Sequence, residues 1–240
     1  MTTPIHPAGL DGSGAMFDAI AHRYDLLNRL MSFGKDRSWR RQTASQLGAP
    51  KRALDLATGT GDLAIEVARR NPLAQVVGLD PSTRMLDVGR RKTEKLGLGA
   101  RIEYVQGDAQ SLPFPDRSFD AVTMAFGIRN VPNRPAALCE MARVARPGAK
   151  IALLELTEPN GSGLSVVARL HVHWIVPAMG AIISGSREYA YLSRSIAAFP
   201  APDAFVQIAK NSGLELVKLM SFSFGACHLF VFTPRAEGSS

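Results

Sequence analysis

Two glycines and a set of acidic side chains early in the chain have a spacing that could build a cofactor site. The stretch LDLATGTGDLA contains Gly59-x-Gly61-x-x-Ala64, and Asp80 follows at the end of the next apolar run. Glycines at such a turn let the backbone approach a ligand closely, and the start of the following helix offers free N–H groups. The pattern is typical of a nucleotide-type cofactor, with Asp80 placed for ribose hydroxyls. A strand–helix turn that binds no ligand is the alternative.

The carboxylates around this loop indicate which cofactor is meant. Asp55 precedes the loop, Asp62 follows its second glycine, and Asp108 closes the third predicted strand. Carboxylates at these positions would repel the pyrophosphate of NAD, whereas they would attract an ammonium or a sulfonium group. We therefore predict S-adenosylmethionine, which has both cations and no phosphate, with Asp108 and Ala109 at the adenine edge.

A second candidate site follows a strand-like stretch, FDAVTMAFGIRNVPN, at residues 119–133. The stretch is apolar up to Phe126, and then Arg129 and Asn130 follow abruptly. Ligands of open α/β sheets bind beyond the carboxyl ends of the strands, so both side chains are candidates for contacting a polar part of a substrate. A polar cap that only closes the turn is the alternative.

Alternating strands and helices must position these residues. The alternation predicts a doubly wound, mostly parallel sheet covered on both faces, and the last two strands predict an antiparallel hairpin at its edge. Predicted strands are 53–57, 75–80, 101–108, 119–126, 150–156, 214–222 and 227–234, and predicted helices are 15–33, 39–47, 62–70, 82–96, 134–145 and 203–212.

Composition predicts one domain in a reducing compartment. The chain has 240 residues, 46% of them hydrophobic, which suits one α/β domain. We expect a flexible leader at 1–14, a domain at 15–235 with a helical insertion at 160–200, and a flexible tail at 236–240. The two cysteines predict no disulfide framework. The net charge of +7 is scattered, so we expect no nucleic-acid partner.

A strongly apolar stretch at 163–184 lies inside the predicted insertion. It is long enough to suggest a membrane span, but Arg169, two histidines and Pro177 argue against one. We expect a lid over an apolar tunnel, and a buried core helix is the alternative. His171 and His173 do not share a helix face, so no metal site is predicted.

Several stretches between Phe17 and about Phe232 carry a family resemblance: YDLLNRLMSFGKDRSW, LDLATGTGDLA, LPFPDRSFDAV, FGIRNV, RVARPGAKIALLEL and YLSRSIAAFP. Together they resemble the UbiE/MenG family of class I methyltransferases, and the resemblance implies methyl transfer to a ring carbon of a prenylated quinol. It implies a Rossmann-like class I methyltransferase fold with a doubly wound sheet, a C-terminal antiparallel hairpin and an inserted helical lid.

The resemblance also assigns residues to the cofactor. It implies S-adenosylmethionine contacts at Thr60, Asp80, Asp108 and Ala109, beside Asp55, Gly59 and Gly61 from the loop pattern. Two positions depart from the family. Ala125 stands where relatives often have serine, and Asp36 stands where histidine is common.

For the substrate, the resemblance implies a prenylated quinol whose oxygens meet Arg129 and Asn130. A guanidinium favours the ionised form of a phenolic hydroxyl, so these two residues are the predicted catalytic pair. Tyr24, Trp174 and Tyr191 are the further predicted substrate contacts. We expect a cytoplasmic protein that contacts the inner membrane face, with a homodimer left open. A methyltransferase for another apolar small molecule and a noncatalytic S-adenosylmethionine-binding scaffold are the alternatives.

Overall fold

The computed structural model describes residue 18, residues 21–22, residues 24–158 and residues 186–236. Two helices come first, α1 at Tyr24–Met31 and α2 at Asp36–Ser45. The prediction of one helix over 15–33 was wrong, because a turn at residues 21–22 separates Asp18 from α1. The Asp18 carboxylate accepts a hydrogen bond from the Ser82 hydroxyl, which holds that part of the chain at the end of a strand.

Strands and helices then alternate as predicted. The elements are β1 (Arg52–Leu56), α3 (Asp62–Arg70), β2 (Gln75–Asp80), α4 (Thr83–Lys95), β3 (Ile102–Gln106), β4 (Phe119–Ala125), α5 (Arg134–Val144) and β5 (Ala145–Leu156). Ser82 caps α4, because its hydroxyl accepts the Met85 N–H at 3.1 Å.

The C-terminal part adds two helices and the predicted hairpin. These elements are α6 (Ser186–Ala197), α7 (Pro202–Asn211), β6 (Leu214–Phe222) and β7 (Cys227–Pro234). The seven strands form one sheet in the order β3-β2-β1-β4-β5-β7-β6. β1 to β5 are parallel and β7 is antiparallel to both its neighbours, so the predicted fold class is confirmed.

Both faces of the sheet are buried, as the apolar strands require. On one face, Phe119, Phe230 and Phe232 of the sheet pack with Phe205 of α7 and with α5. The other face packs Trp39, Leu63 and Leu86 from α2, α3 and α4. No helix in the described ranges is both long and apolar enough to cross a bilayer. The apolar stretch 163–184 lies outside those ranges, so its predicted lid role stays a prediction.

The carboxyl ends of β1 to β5 meet at one edge of the sheet, and the hairpin between β6 and β7 turns at the same edge. The turn there contains three consecutive residues with left-handed φ values, Ser223 (48°), Phe224 (56°) and Gly225 (89°). The Thr157 hydroxyl donates to the Gly225 carbonyl oxygen at 2.9 Å and so fixes this turn against the end of β5. Of the predicted functional residues, this edge contains Asp80, Arg129 and Asn130.

Candidate active site

The glycine loop between β1 and α3 has the conformation that its sequence requires. Gly59 and Gly61 have φ values of 56° and 80°, which side-chain-bearing residues rarely adopt. A Cβ atom on Gly61 would lie 2.0 Å from the Tyr104 hydroxyl oxygen. Only glycine fits at this position, where α3 begins with its N–H groups directed at the loop.

Asp80 joins the loop to the end of β2. Its carboxylate accepts the Gly59 N–H at 2.9 Å through Oδ2 and the Ser82 N–H at 2.9 Å through Oδ1. Burial raises the pKa of Asp80, although both N–H bonds lower it. Asp80, which is predicted to bind the ribose, therefore lies beside the loop, and its hydrogen bonds also hold the loop in position.

Asp55 is buried beneath the start of the glycine loop. It is 1% exposed, and its oxygens accept the Thr58 hydroxyl at 2.6 Å and the Thr123 hydroxyl at 2.7 Å. Burial raises its pKa to about 6. The Asp55 carboxylate therefore fixes the start of the loop through Thr58 and joins it to β4 through Thr123.

Helix α1 covers the loop from the solvent side. Tyr24 contributes to a small cavity with Asp55, Gly59, Thr60 and Ala125, so the structure brings these predicted site residues together. The predicted substrate contact of Tyr24 stays a prediction.

A salt-bridge network that the sequence reasoning missed fastens α1 to the loop. The Thr60 hydroxyl donates to Asp25 at 2.5 Å, and Lys92 Nζ contacts Asp25 at 2.7 Å and Asp62 at 2.6 Å. Burial acts to raise the pKa of Asp62, but the Lys92 and Arg40 charges outweigh it and the pKa is lowered. Lys92 therefore offsets part of the negative charge beside the loop while it joins α1 to the start of α3.

The remaining predicted cofactor contacts follow β3. The Gly107 N–H donates to the Asp80 carbonyl oxygen at 3.2 Å, which places the next residues beside the end of β2. Ala109 is buried, whereas Asp108 is exposed and accepts the Gln110 side-chain amide. Both therefore lie near the predicted adenine edge, and their role stays a prediction.

Arg129 and Asn130 lie in a short 3₁₀ turn, Ile128–Asn130, three residues beyond the end of β4. Arg129 is only 6% exposed, and its guanidinium forms an ion pair with Glu155 of β5. Arg129 Nη1 also donates to the Phe126 carbonyl oxygen at 2.8 Å. Its Nε is buried and has no hydrogen-bond partner among the described residues.

Arg129 and Asn130 also stabilise an unusual backbone conformation at Phe126. Phe126 has a φ of 60°, which is uncommon for a bulky residue and marks local strain. The Asn130 amide donates to the same Phe126 carbonyl at 3.4 Å, and the Tyr191 hydroxyl donates to Asn130 Oδ1 at 3.1 Å. Arg129, Asn130 and Tyr191, predicted from separate stretches, are thus neighbours.

Glu155 is the functional candidate that the sequence reasoning missed. It is fully buried in the apolar run IALLEL of β5, and a lone acid there was the available signal. Asp36, the family departure, is buried and accepts the Ser32 hydroxyl at 2.9 Å. Ala125 lines the cavity without a hydroxyl.

Other predicted features lie beyond what the structure covers. Trp174, His171 and His173 are outside the described ranges. Within those ranges, no three His, Cys, Asp or Glu side chains are grouped so that they could hold a metal ion.

Comparison with solved structures supports the fold. The [4+2]-cyclase SpnF aligns over 97% of this chain and 98% of its own with a TM-score of 0.70 at 16% identity. A SAM-dependent methyltransferase from Aquifex aeolicus aligns over 90% of this chain and 98% of its own with a TM-score of 0.64 at 17% identity. The fold is that of the class I methyltransferases.

Sequence comparison gives the family. Residues 11–233 match the model of the ubiE/COQ5 methyltransferase family, and the chain belongs to that family. The demethylmenaquinone methyltransferase of Thermus thermophilus is 45% identical over 218 residues, which are 89% of this chain and 98% of the relative. The ubiquinone/menaquinone biosynthesis C-methyltransferase UbiE of Dinoroseobacter shibae is 39% identical over 217 residues, which are 89% of this chain and 87% of the relative. The chain is an S-adenosylmethionine-dependent C-methyltransferase, and the predicted family, enzyme class and cofactor are confirmed.

Proposed function

We propose that this enzyme methylates a ring carbon of a prenylated quinol, either demethylmenaquinol, the related benzoquinol of the ubiquinone pathway, or both. The names of its relatives support the quinone substrates, since demethylmenaquinone methyltransferases and UbiE enzymes are 37–45% identical to this chain. The alternative of a noncatalytic scaffold is disfavoured by the intact loop, in which Asp55, Gly59 and Asp80 keep their contacts.

The observation that carries the proposal is the buried Nε–H of Arg129, which has no hydrogen-bond partner among the described residues. The guanidinium is buried at the carboxyl edge of the sheet, and its Nη1 is used by Glu155 and Phe126. A buried N–H without a partner costs free energy unless a ligand satisfies it. The hydroxyl oxygen of a quinol would accept this hydrogen bond.

The residues around this edge explain how methyl transfer would be assisted. S-adenosylmethionine supplies an electrophilic methyl group when bound. The glycine loop and Asp80 orient the cofactor from one side, and Arg129 holds the quinol oxygen from the other. Hydrogen bonding from Arg129 stabilises the ionised oxygen, whose reference pKa is about 10, and so raises electron density at the neighbouring ring carbon. The ring carbon would form its bond to the methyl group as the bond between that methyl group and the sulfonium sulfur breaks, which leaves a neutral thioether. Loss of the proton from the same ring carbon to water would then restore aromaticity.

The place of action is the membrane surface in this proposal. A prenylated quinol is held in the bilayer, and the net charge of +7 favours contact with an anionic inner leaflet. The proposal includes a cytoplasmic, peripherally bound enzyme, with a homodimer as a further expectation. Residues 163–184, including Trp174, would accept the prenyl tail.

Substitution of Arg129 tests the proposal. Arg129→Gln should lower kcat at least about tenfold, because a preorganised donor to the developing charge is lost. The dissociation constant for S-adenosylmethionine should stay near the wild-type value. Arg146→Gln is the matched control, since Arg146 pairs with Asp120 at the opposite end of the strands. Normal turnover by folded Arg129→Gln would remove Arg129 from the site and leave it as a strand-end cap.

A further inference from the structure

Glu155, the ion-pair partner of Arg129, is held in place by hydrogen bonds from backbone N–H groups. Glu155 is fully buried near the end of β5. Its Oε2 accepts the Arg129 backbone N–H at 3.1 Å, and its Oε1 accepts the Leu156 N–H at 2.8 Å together with Arg129 Nη1. Contacts with two backbone N–H groups leave this carboxylate in a single orientation.

These contacts determine which nitrogen of the Arg129 guanidinium is left without a hydrogen-bond partner. Nη1 is occupied by Glu155 and by the Phe126 carbonyl oxygen, whereas Nε has no partner among the described residues. Because the guanidinium is planar and rigid, fixing Nη1 also fixes the direction of the Nε–H bond. Glu155 thereby aims the donor that the proposed function uses.

Glu155 also changes the charge of the site. An isolated buried guanidinium would present a full positive charge to a bound quinol, but a carboxylate in contact with it offsets much of that charge. The ionised quinol is therefore stabilised less by the pair than it would be by Arg129 alone.

We propose that Glu155 is a positioning residue for methyl transfer, an inference that rests on the quinol methylation proposed above. It fixes the Arg129 guanidinium through Nη1 and leaves Nε without a partner in the described part of the chain, so that Nε–H can donate to the substrate oxygen. By offsetting the Arg129 charge, it also sets the pH range over which the bound quinol ionises.

Other titratable groups around the pair remain in one charge state over most of the working range. Arg134 donates to the Arg129 carbonyl oxygen at 3.0 Å and stays cationic, although burial lowers its pKa. Burial raises the pKa of Cys227, which stays a neutral thiol. His228 lies directly opposite Glu155 on β7, and burial lowers its pKa. Its imidazole is therefore neutral over most of the range and changes charge only toward the acid end.

Two variants of Glu155 separate its charge from its geometry. Glu155→Gln keeps the length of the side chain and removes the charge, so the acid limb of the kcat profile should move about one unit toward lower pH. Glu155→Asp keeps the charge and shortens the side chain, so kcat should fall about tenfold or more without moving that limb. The S-adenosylmethionine dissociation constant should be unchanged in both.

His228→Gln is the matched control for the pH profile. The limb should stay in place in this variant, and a limb that moves with His228 instead of Glu155 would overturn the inference. A direct readout is the absorbance of a bound short-chain naphthol, whose ionisation on the protein should shift to lower pH with Glu155→Gln.

A double variant covers the case in which the single ones do not fold. Arg129→Met combined with Glu155→Met replaces a buried ion pair with apolar side chains, which is often neutral or stabilising. We expect a folded protein that binds S-adenosylmethionine and has lost turnover. Retained turnover in this variant, or unchanged profiles in folded Glu155 variants, would contradict the positioning role while quinol methylation by the wild-type enzyme still stood. Absence of methylation by the wild-type enzyme would instead reject the proposed function.

Discussion

Asp55 lowers the free energy of unfolding at neutral pH while it holds the glycine loop through Thr58. Its folded pKa of about 6 lies above the value of 3.8 for an unperturbed carboxyl, so folding takes up a proton between these pH values. Ionised Asp55 therefore reduces the free energy of unfolding, and the penalty is fully present above about pH 6 and disappears below about pH 4. The shift corresponds to about 3 kcal/mol.

We expect Asp55→Asn to be more stable than the wild type at pH 7.5, by up to about 3 kcal/mol, because the buried charge is gone. The difference should shrink as the pH falls toward about 4. Chemical unfolding of both proteins over this range measures it. A constant difference at every pH would mean that the Asp55 carboxyl does not titrate in the folded protein with a raised pKa.

Asp80 has a different role, because both its oxygens accept backbone N–H groups at the edge of the cofactor loop. Asp80→Ala should weaken S-adenosylmethionine binding about tenfold or more, since a charge-assisted hydrogen bond is worth about 1.5–3 kcal/mol. Isothermal titration measures this, with Asp80→Asn as the control that keeps an acceptor for Gly59. Unaltered binding in a folded Asp80→Ala protein would exclude it as a ligand of the ribose.

At the scale of elements, helix α1 and the glycine loop are joined by Lys92. We expect Lys92→Met to weaken S-adenosylmethionine binding several-fold, because Thr60 and Asp62 lose the cation that holds them beside Asp25. Lys95→Met, one turn further along the same helix, is the matched control and should bind normally. Equal affinity in both variants would show that α1 and the loop act independently.

Elements bounded by clear turn residues could be predicted from the sequence alone. β2, β6 and β7 begin and end where their apolar runs do, and the glycine loop is where the pattern placed it. β5 begins at Ala145 rather than 150, because Ala145 pairs with Phe119 across a bulge and draws Arg146-Pro147-Gly148 into the strand. Such pairing is set by a neighbouring strand and leaves no local signal.

Contacts between distant residues could not be predicted in the same way. The positions of Arg129 and Asn130 followed from the end of an apolar strand, but the Glu155 partner lies 26 residues away on the next strand. Lys92 is 67 residues from Asp25, and its position on a helix rich in Arg and Lys made it resemble a solvated residue. Periodicity identifies the elements, and only the folded sheet shows which polar side chains meet.

At the scale of the whole molecule, net charge and substrate point to the same surface. We expect the protein to sediment with vesicles that contain anionic lipid, and to be released as ionic strength rises, because its charge of +7 is screened by salt. Vesicles of neutral lipid are the control. Equal binding to both kinds of vesicle, unaffected by salt, would assign attachment to apolar contacts alone.

Methyl transfer by the purified enzyme is the most direct test of the central claim. The protein is incubated with S-adenosylmethionine carrying a deuterated methyl group and with a reduced, short-chain demethylmenaquinone or its benzoquinol counterpart, and the product is analysed by mass spectrometry. We predict that the label appears as a methyl group on a ring carbon of at least one of these quinols, and that Arg129→Gln largely abolishes it. No labelled product from either quinol, or label found only on oxygen, would contradict the account.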